Sequence, residues 1–211
     1  MGLLAYILRI PVVLLAIIVH EVSHGYVSYL LGDPTAKMSG RLTFNPFSHL
    51  DPFGALCMVL FRFGWAKPVP INPIYYKNRK LGMFLVSFAG PFSNFIMAFL
   101  ATFIYVLIGR ITDFNFALSN IIQILLVEMV FVNIGLGLFN LIPFPPLDGF
   151  KIVSLILPQR IYYQILEYER FGFILLIILV YLGTFSNFLT KALDGMLHFF
   201  EFVANSILFF L

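Results

Sequence analysis

The run His20-Glu21-Val22-Ser23-His24 sets two imidazoles four residues apart, with a carboxylate beside the first. On a helix, positions i and i+4 share a face, so both rings can turn to one point. That spacing suits a Zn²⁺ ion, whose bonds to imidazole nitrogen are about 2.0–2.1 Å. Glu21 adjoins the first ligand and can reach a metal-held water as a general base. About 0.002 such runs are expected by chance in a chain of this composition, so accident is a poor explanation. The plainer alternative is three polar residues bonded to one another along a helix seam. A catalytic zinc site needs a third protein ligand and an open position for water. The candidates are His49, Asp51, Glu128, Asp148, Asp194, His198 and Glu201.

The elements that must position these residues follow from composition. The chain has 211 residues, of which 61% are hydrophobic and 11% charged, and its mean hydropathy is +0.97. Soluble domains carry about 25% charged residues. A soluble enzyme, a nucleic-acid binder, a disordered chain and a coiled coil are therefore excluded. The expected fold is an all-α polytopic membrane protein, a bundle of about four to six transmembrane helices. Residues 1–211 are expected to form one membrane-embedded domain. The single cysteine, Cys57, can form neither an internal disulfide nor a thiolate metal site. The N-terminal stretch lacks the marks of a cleaved signal peptide and is expected to remain as a helix.

Apolar runs place spans at 3–31, 81–108 and 117–142, with a shorter one at 171–185 and a fifth candidate at 192–211. Asp194, His198 and Glu201 fall on one face of that last segment, which reads as an interfacial helix. The connection 32–80 is rich in proline. Its centre, 53–65, is too short to cross and reads as re-entrant. The flanks 37–44 and 66–71 carry weak strand character and suggest a short β-hairpin. Seven basic residues lie in this connection: Lys37, Arg41, Arg62, Lys67, Lys77, Arg79 and Lys80. Lys151, Arg160 and Arg170 lie in the next connection on that side. The basic side is expected to be cytoplasmic and the N-terminus outside.

This topology selects the third ligand. His20 and His24 fall in the cytoplasmic half of the first span, and Asp148 lies just past the cytoplasmic end of the third. The run from Asn140 through Pro143, Pro145 and Pro146 to Asp148-Gly149 must break the helix. Broken backbone at membrane depth needs protein or a watery cavity around it, which an active site supplies. An ordinary exit loop with Asp148 capping the next helix is compatible with the same run. A dication with two neutral imidazoles, one carboxylate and one hydroxide is neutral, and so cheaper to bury than a bare ion.

These residues resemble the site-2 protease family of intramembrane zinc metalloproteases. The likeness rests on His20-Glu21-x-x-His24 in a membrane helix and on Asn140…Pro143…Leu147-Asp148-Gly149. Gly32-Asp33-Pro34-Thr35, Asn45-Pro46, Gly64-Trp65-Ala66-Lys67-Pro68 and Ala89-Gly90-Pro91-x-x-Asn94 strengthen it, and resemble the short bacterial and archaeal members. The likeness runs from about His20 to Lys151. It implies that His20, His24 and Asp148 bind one zinc ion and that Glu21 is the catalytic base. It also implies that Asn140 and Asn94 hold the substrate backbone, that the substrates are transmembrane proteins in a lipid bilayer, and that the enzyme sits in a prokaryotic plasma membrane with no nucleic-acid partner. Phe150 departs from the second glycine of many members. The PDZ or CBS modules that some members carry are not expected here.

A substrate helix in lipid satisfies its own backbone and must unwind before attack. Amide side chains and the edge of a short strand could pair with the freed groups. Two rivals use the same ligands. A metal transporter would be expected to show paired broken helices in two related halves, which this chain lacks. A silent regulator would not need Glu21.

Overall fold

The computed structural model describes residues 3–54, 57, 66–111, 117–158, 164 and 169–209. Seven α-helices occur among them: α1 (Leu3–Leu30), α2 (Thr35–Met38), α3 (Arg79–Ile111), α4 (Ala117–Asn140), α5 (Asp148–Ser154), α6 (Glu169–Tyr181) and α7 (Ser186–Phe209). Four are long and apolar enough to cross a membrane: Ile7–Leu30, Arg79–Arg110, Ile121–Asn140 and Ser186–Phe209. The chain is a multi-pass membrane protein.

Small side chains let the spans approach closely, as lipid-embedded helices require. Ala98 and Ala101 on α3 pack with Val130 and Ile134 on α4 and with Phe200 on α7. Helix α1 runs antiparallel to α3. Its Ala16 carbonyl accepts a bond from Asn94, and His24 meets Val86. The start of α3, the end of α1 and the end of α4 therefore share one end of the bundle. Lys37, Arg41, Lys67, Lys77, Arg79, Lys80 and Lys151 lie at that end.

Two expectations are corrected. No strand occurs among the described residues, so the hairpin between the first two spans is not supported. The 37–44 stretch begins in the last two residues of α2, and the one β-bridge among the described residues is an isolated antiparallel one from Leu50, beyond that stretch, to Ala66. Pro68 and Pro70 explain the failure, because proline cannot donate to a ladder. The re-entrant stretch 53–65 lies mostly outside the described residues. Of the fourth candidate span, 171–185, the described residues place Glu169–Tyr181 in α6. The fifth candidate is a 24-residue helix laid along α3. Arg110 donates to the Leu208 carbonyl at 2.8 Å, and the Phe99 and Phe200 rings meet at 5.7 Å. Helix α7 thus runs parallel to a span instead of lying across the bundle's end as an interfacial helix would.

At the basic end, a polar knot closes the chain after α1. Asp33 is fully buried and accepts bonds from Ser28, from the Thr35 N–H and hydroxyl, and from the Asn72 N–H. Burial pushes its carboxyl up, but the bonds from Thr35, Asn72 and Ser28 outweigh this and hold it below the usual carboxylate range. With the folded value below the unfolded one, its stabilisation is present at neutral pH and is lost as pH falls through the folded value. We expect Asp33→Asn to unfold at lower temperature than the unmodified protein at pH 7. That gap should shrink below about pH 4, as thermal melts across pH would reveal.

Candidate metal centre

His20 and His24 sit one turn apart on α1, with ring centroids 4.7 Å apart. Helix α3 orients both rings from behind. The Nδ1–H of His20 donates to Asn94 Oδ1 at 2.6 Å, and the Nδ1–H of His24 donates to the Val86 carbonyl at 2.6 Å. A carbonyl oxygen can only accept, so these two bonds fix the hydrogen on Nδ1 in each ring. Both Nε2 lone pairs are then left for a ligand. Pro91 contributes in the same turn of α3. It lacks the N–H that would pair with the Ser87 carbonyl.

Asp148 arrives from the far side. The prolines at 143, 145 and 146 stop α4 at Asn140, and α5 restarts with Asp148 as its first residue. Leu176 of α6 packs against Ile142 and Leu147 and so supports the broken run. Oδ2 of Asp148 lies 3.1 Å from His20 Nε2 and 3.0 Å from His24 Nε2. Its other oxygen accepts from Lys151 Nζ at 2.9 Å, one helical turn on.

The donor set fits a metal ion. Three buried electron-pair donors, two Nε2 and one carboxylate oxygen, converge within 4.8 Å of one another. With both hydrogens held on Nδ1, these atoms would repel unless a cation stood among them. Two imidazoles and a carboxylate make a three-ligand zinc set with room for water. Hydrogen-bonded outer partners on every ligand are what such sites use to hold ring orientation. Gly90 completes the cradle. A Cβ there would collide with Nε2 of both imidazoles. Gly90→Ala should therefore weaken zinc binding by about 10- to 100-fold, the usual cost of disturbing a ligand's support. Competition with a chromophoric chelator would measure it.

The other predicted residues are placed as follows. Glu21 is half-buried beside the pair, and its Oε2 accepts the Val69 N–H at 2.9 Å. Asn94 is fully enclosed, and its NH₂ donates to the Ala16 carbonyl and to Asn133 Oδ1. That amide, expected to hold substrate, bonds to His20 and its neighbours here. Asn140 lies half-buried in the last turn of α4, with its NH₂ bonded to the Leu136 carbonyl. His49 Nε2 donates to the Thr43 carbonyl, and Asp51 accepts from the Gly54 N–H, so both serve local backbone. Glu128 pairs with Arg9 at 3.6 Å across α1 and α4. His198 and Glu201, 3.8 Å apart, lie on the outer side of α7.

Sequence reasoning missed the partner roles of Lys151, the Val86 carbonyl and Asn133. Lys151 was detectable from its i, i+3 spacing to Asp148. The other two are contacts between distant parts of the chain and carry no local signal.

Comparison with known proteins points to zinc metalloproteases. Residues 107–185, which include Asp148, match the sequence model of peptidase family M50. YwhC of Bacillus subtilis (strain 168), named provisionally as a zinc metalloprotease, is 41% identical over 165 residues, covering 76% of this chain and 74% of its own. Rip2 of Mycolicibacterium smegmatis, named in the same way, is 25% identical over 179 residues, covering 83% of this chain and 67% of its own. No solved structure matches the chain significantly. With a relative this similar over most of both chains, the chain belongs to peptidase family M50, the site-2 protease family of membrane zinc metalloproteases.

Proposed function

We propose that this protein hydrolyses peptide bonds within transmembrane segments of membrane-protein substrates. His20, His24 and Asp148 hold one zinc ion and Glu21 is the general base. The observation that carries the reading is the meeting of both Nε2 atoms with Asp148 Oδ2, between helices at membrane depth and beside Glu21. His24 lies six residues before the end of α1, about 9 Å below the basic end of the bundle at 1.5 Å per residue. A substrate peptide bond must therefore come to it inside the bilayer.

A zinc ion bound there supplies Lewis acidity and brings the pKa of its water near 7. The protein's own groups do the rest. Nδ1 bonds to Asn94 and Val86 keep the imidazoles aimed, and Lys151 keeps Asp148 turned inward. Glu21 takes a proton from the attacking water and returns it to the leaving amine. Asn94 acts as the orienting partner of His20. Asn140, beside the break after α4, is the amide placed to pair with an unwound substrate backbone.

The basic end of the bundle is the cytoplasmic one by the positive-inside rule, which puts the N-terminus outside and the centre toward the cytoplasm of a prokaryotic plasma membrane. Residues 1–211 work as one membrane-embedded domain. The test is cleavage of a panel of transmembrane substrates by purified protein in liposomes. A chelator should abolish cleavage and added zinc should restore it. Passage of zinc without cleavage would favour a transporter, and neither activity would favour a silent regulator.

A further inference from the structure

Residues 67–72, Lys-Pro-Val-Pro-Ile-Asn, cross one face of α1 as a strap. Both ends are held by buried charges. Arg41 donates from Nη2 to the carbonyls of Lys67 at 2.5 Å and Pro68 at 3.2 Å. At the other end the Asn72 N–H donates to Asp33 Oδ2 at 2.6 Å. In the middle, the Val69 side chain is buried against Gly25 of α1, where an added Cβ would stand 2.9 Å from Val69 Cγ1. The missing side chain at Gly25 is what lets the strap come this close to α1. The Val69 N–H then donates to Glu21 Oε2 at 2.9 Å.

The sequence of the strap sharpens this contact. Pro68 and Pro70 flank Val69 and carry no N–H, so between 68 and 70 the backbone has one donor, and it is directed at Glu21. Prolines at these places also restrict Lys67 and Val69 to extended conformations. Burying a guanidinium whose partners are backbone carbonyls is costly. A loop that merely joined two helices would not require it.

We propose that the strap positions Glu21 for proton transfer, with Arg41 and Asp33 as positioning residues at its two ends. The proposal rests on the protease reading above. With Oε2 held by the Val69 N–H, the carboxylate cannot swing away from the histidines, and its other oxygen is left for the proton of the water. Proton transfer is steeply sensitive to placement, since a shift of about 1 Å at a reacting group can cost about 100-fold.

The test is a double-mutant cycle on the full-length protein in liposomes, reading kcat, KM and bound zinc. Arg41→Ala and Val69→Pro should each lower kcat by about 10- to 100-fold, leave KM within about twofold and keep one zinc per chain. Arg41→Lys, which can still donate to a carbonyl, should recover part of the loss. In a Glu21→Asp background, whose shorter side chain no longer reaches the strap, the same changes should cost less than about threefold. Equal losses in both backgrounds, or none in either, overturn the proposal and leave the protease reading standing. Should Arg41→Ala fail to fold, replacing Val69 by its α-hydroxy acid removes the N–H, while leaving Pro68 with a weaker ester carbonyl for Arg41, and gives the same comparison. An unmutated protein that cleaves nothing overturns both readings, because the strap then has no base to position.

Discussion

Glu21→Gln should remove cleavage and leave the zinc in place. The substitution keeps the side chain's length and volume, and its amide oxygen can still accept the Val69 N–H that Glu21 accepts. What it loses is basicity. General acid–base groups contribute about 10²- to 10⁴-fold, and Glu21 is asked to act twice, on the water and on the leaving amine. The loss in kcat should fall in or above that range. KM should hardly move, because the change falls on an interaction made in the transition state. Elemental analysis should return the same zinc content as the unmodified protein, since His20, His24 and Asp148 are untouched. Cleavage by the variant at the unmodified rate would remove Glu21 from the mechanism.

Asp148→Ala should have the opposite signature and lose the metal itself. Oδ2 of Asp148 is the one anionic donor in the set, 3.0–3.1 Å from both Nε2 atoms. Without it a dication would face two neutral imidazoles in a buried site, with its charge uncompensated. Disturbing a ligand's outer partner costs about 10- to 100-fold in metal affinity, so deleting the ligand should cost more than about 100-fold. His24→Ala should behave alike. Asp148→Asn should also lose zinc despite its matched shape, which separates loss of charge from loss of packing. One zinc per chain retained by Asp148→Ala would take that residue out of the site.

The parts of this site legible in the sequence are those with local or topological signatures. His20 and His24 are one helical turn apart, so their convergence follows from helix geometry alone. Asp148 comes from another connection, but the prolines before it announce a break, and the basic residues place that break on the side of the histidines. The amide chain from Asn133 through Asn94 to His20 could not be read, because it joins three helices through contacts 39 and 74 residues apart. The strap was misread for a specific reason. Alternation in 66–71 suggested a strand, while Pro68 and Pro70 had already removed the donors a strand needs. Helix α7 was misread because Asp194, His198 and Glu201 argue for a surface. Phe200, Ala204 and Leu208 nevertheless bury it along the bundle. A polar stripe fixes which way a helix faces, and packing against α3 decides where it lies.

The central claim is that one zinc ion is held by two imidazoles and one carboxylate between α1 and the start of α5. X-ray absorption at the zinc edge, on the purified protein in lipid, tests it most directly. The expected spectrum has the multiple-scattering pattern of two imidazoles, only nitrogen and oxygen donors, and no sulfur from Cys57. Zinc bound with sulfur in its shell, or with fewer than two imidazoles, would contradict it.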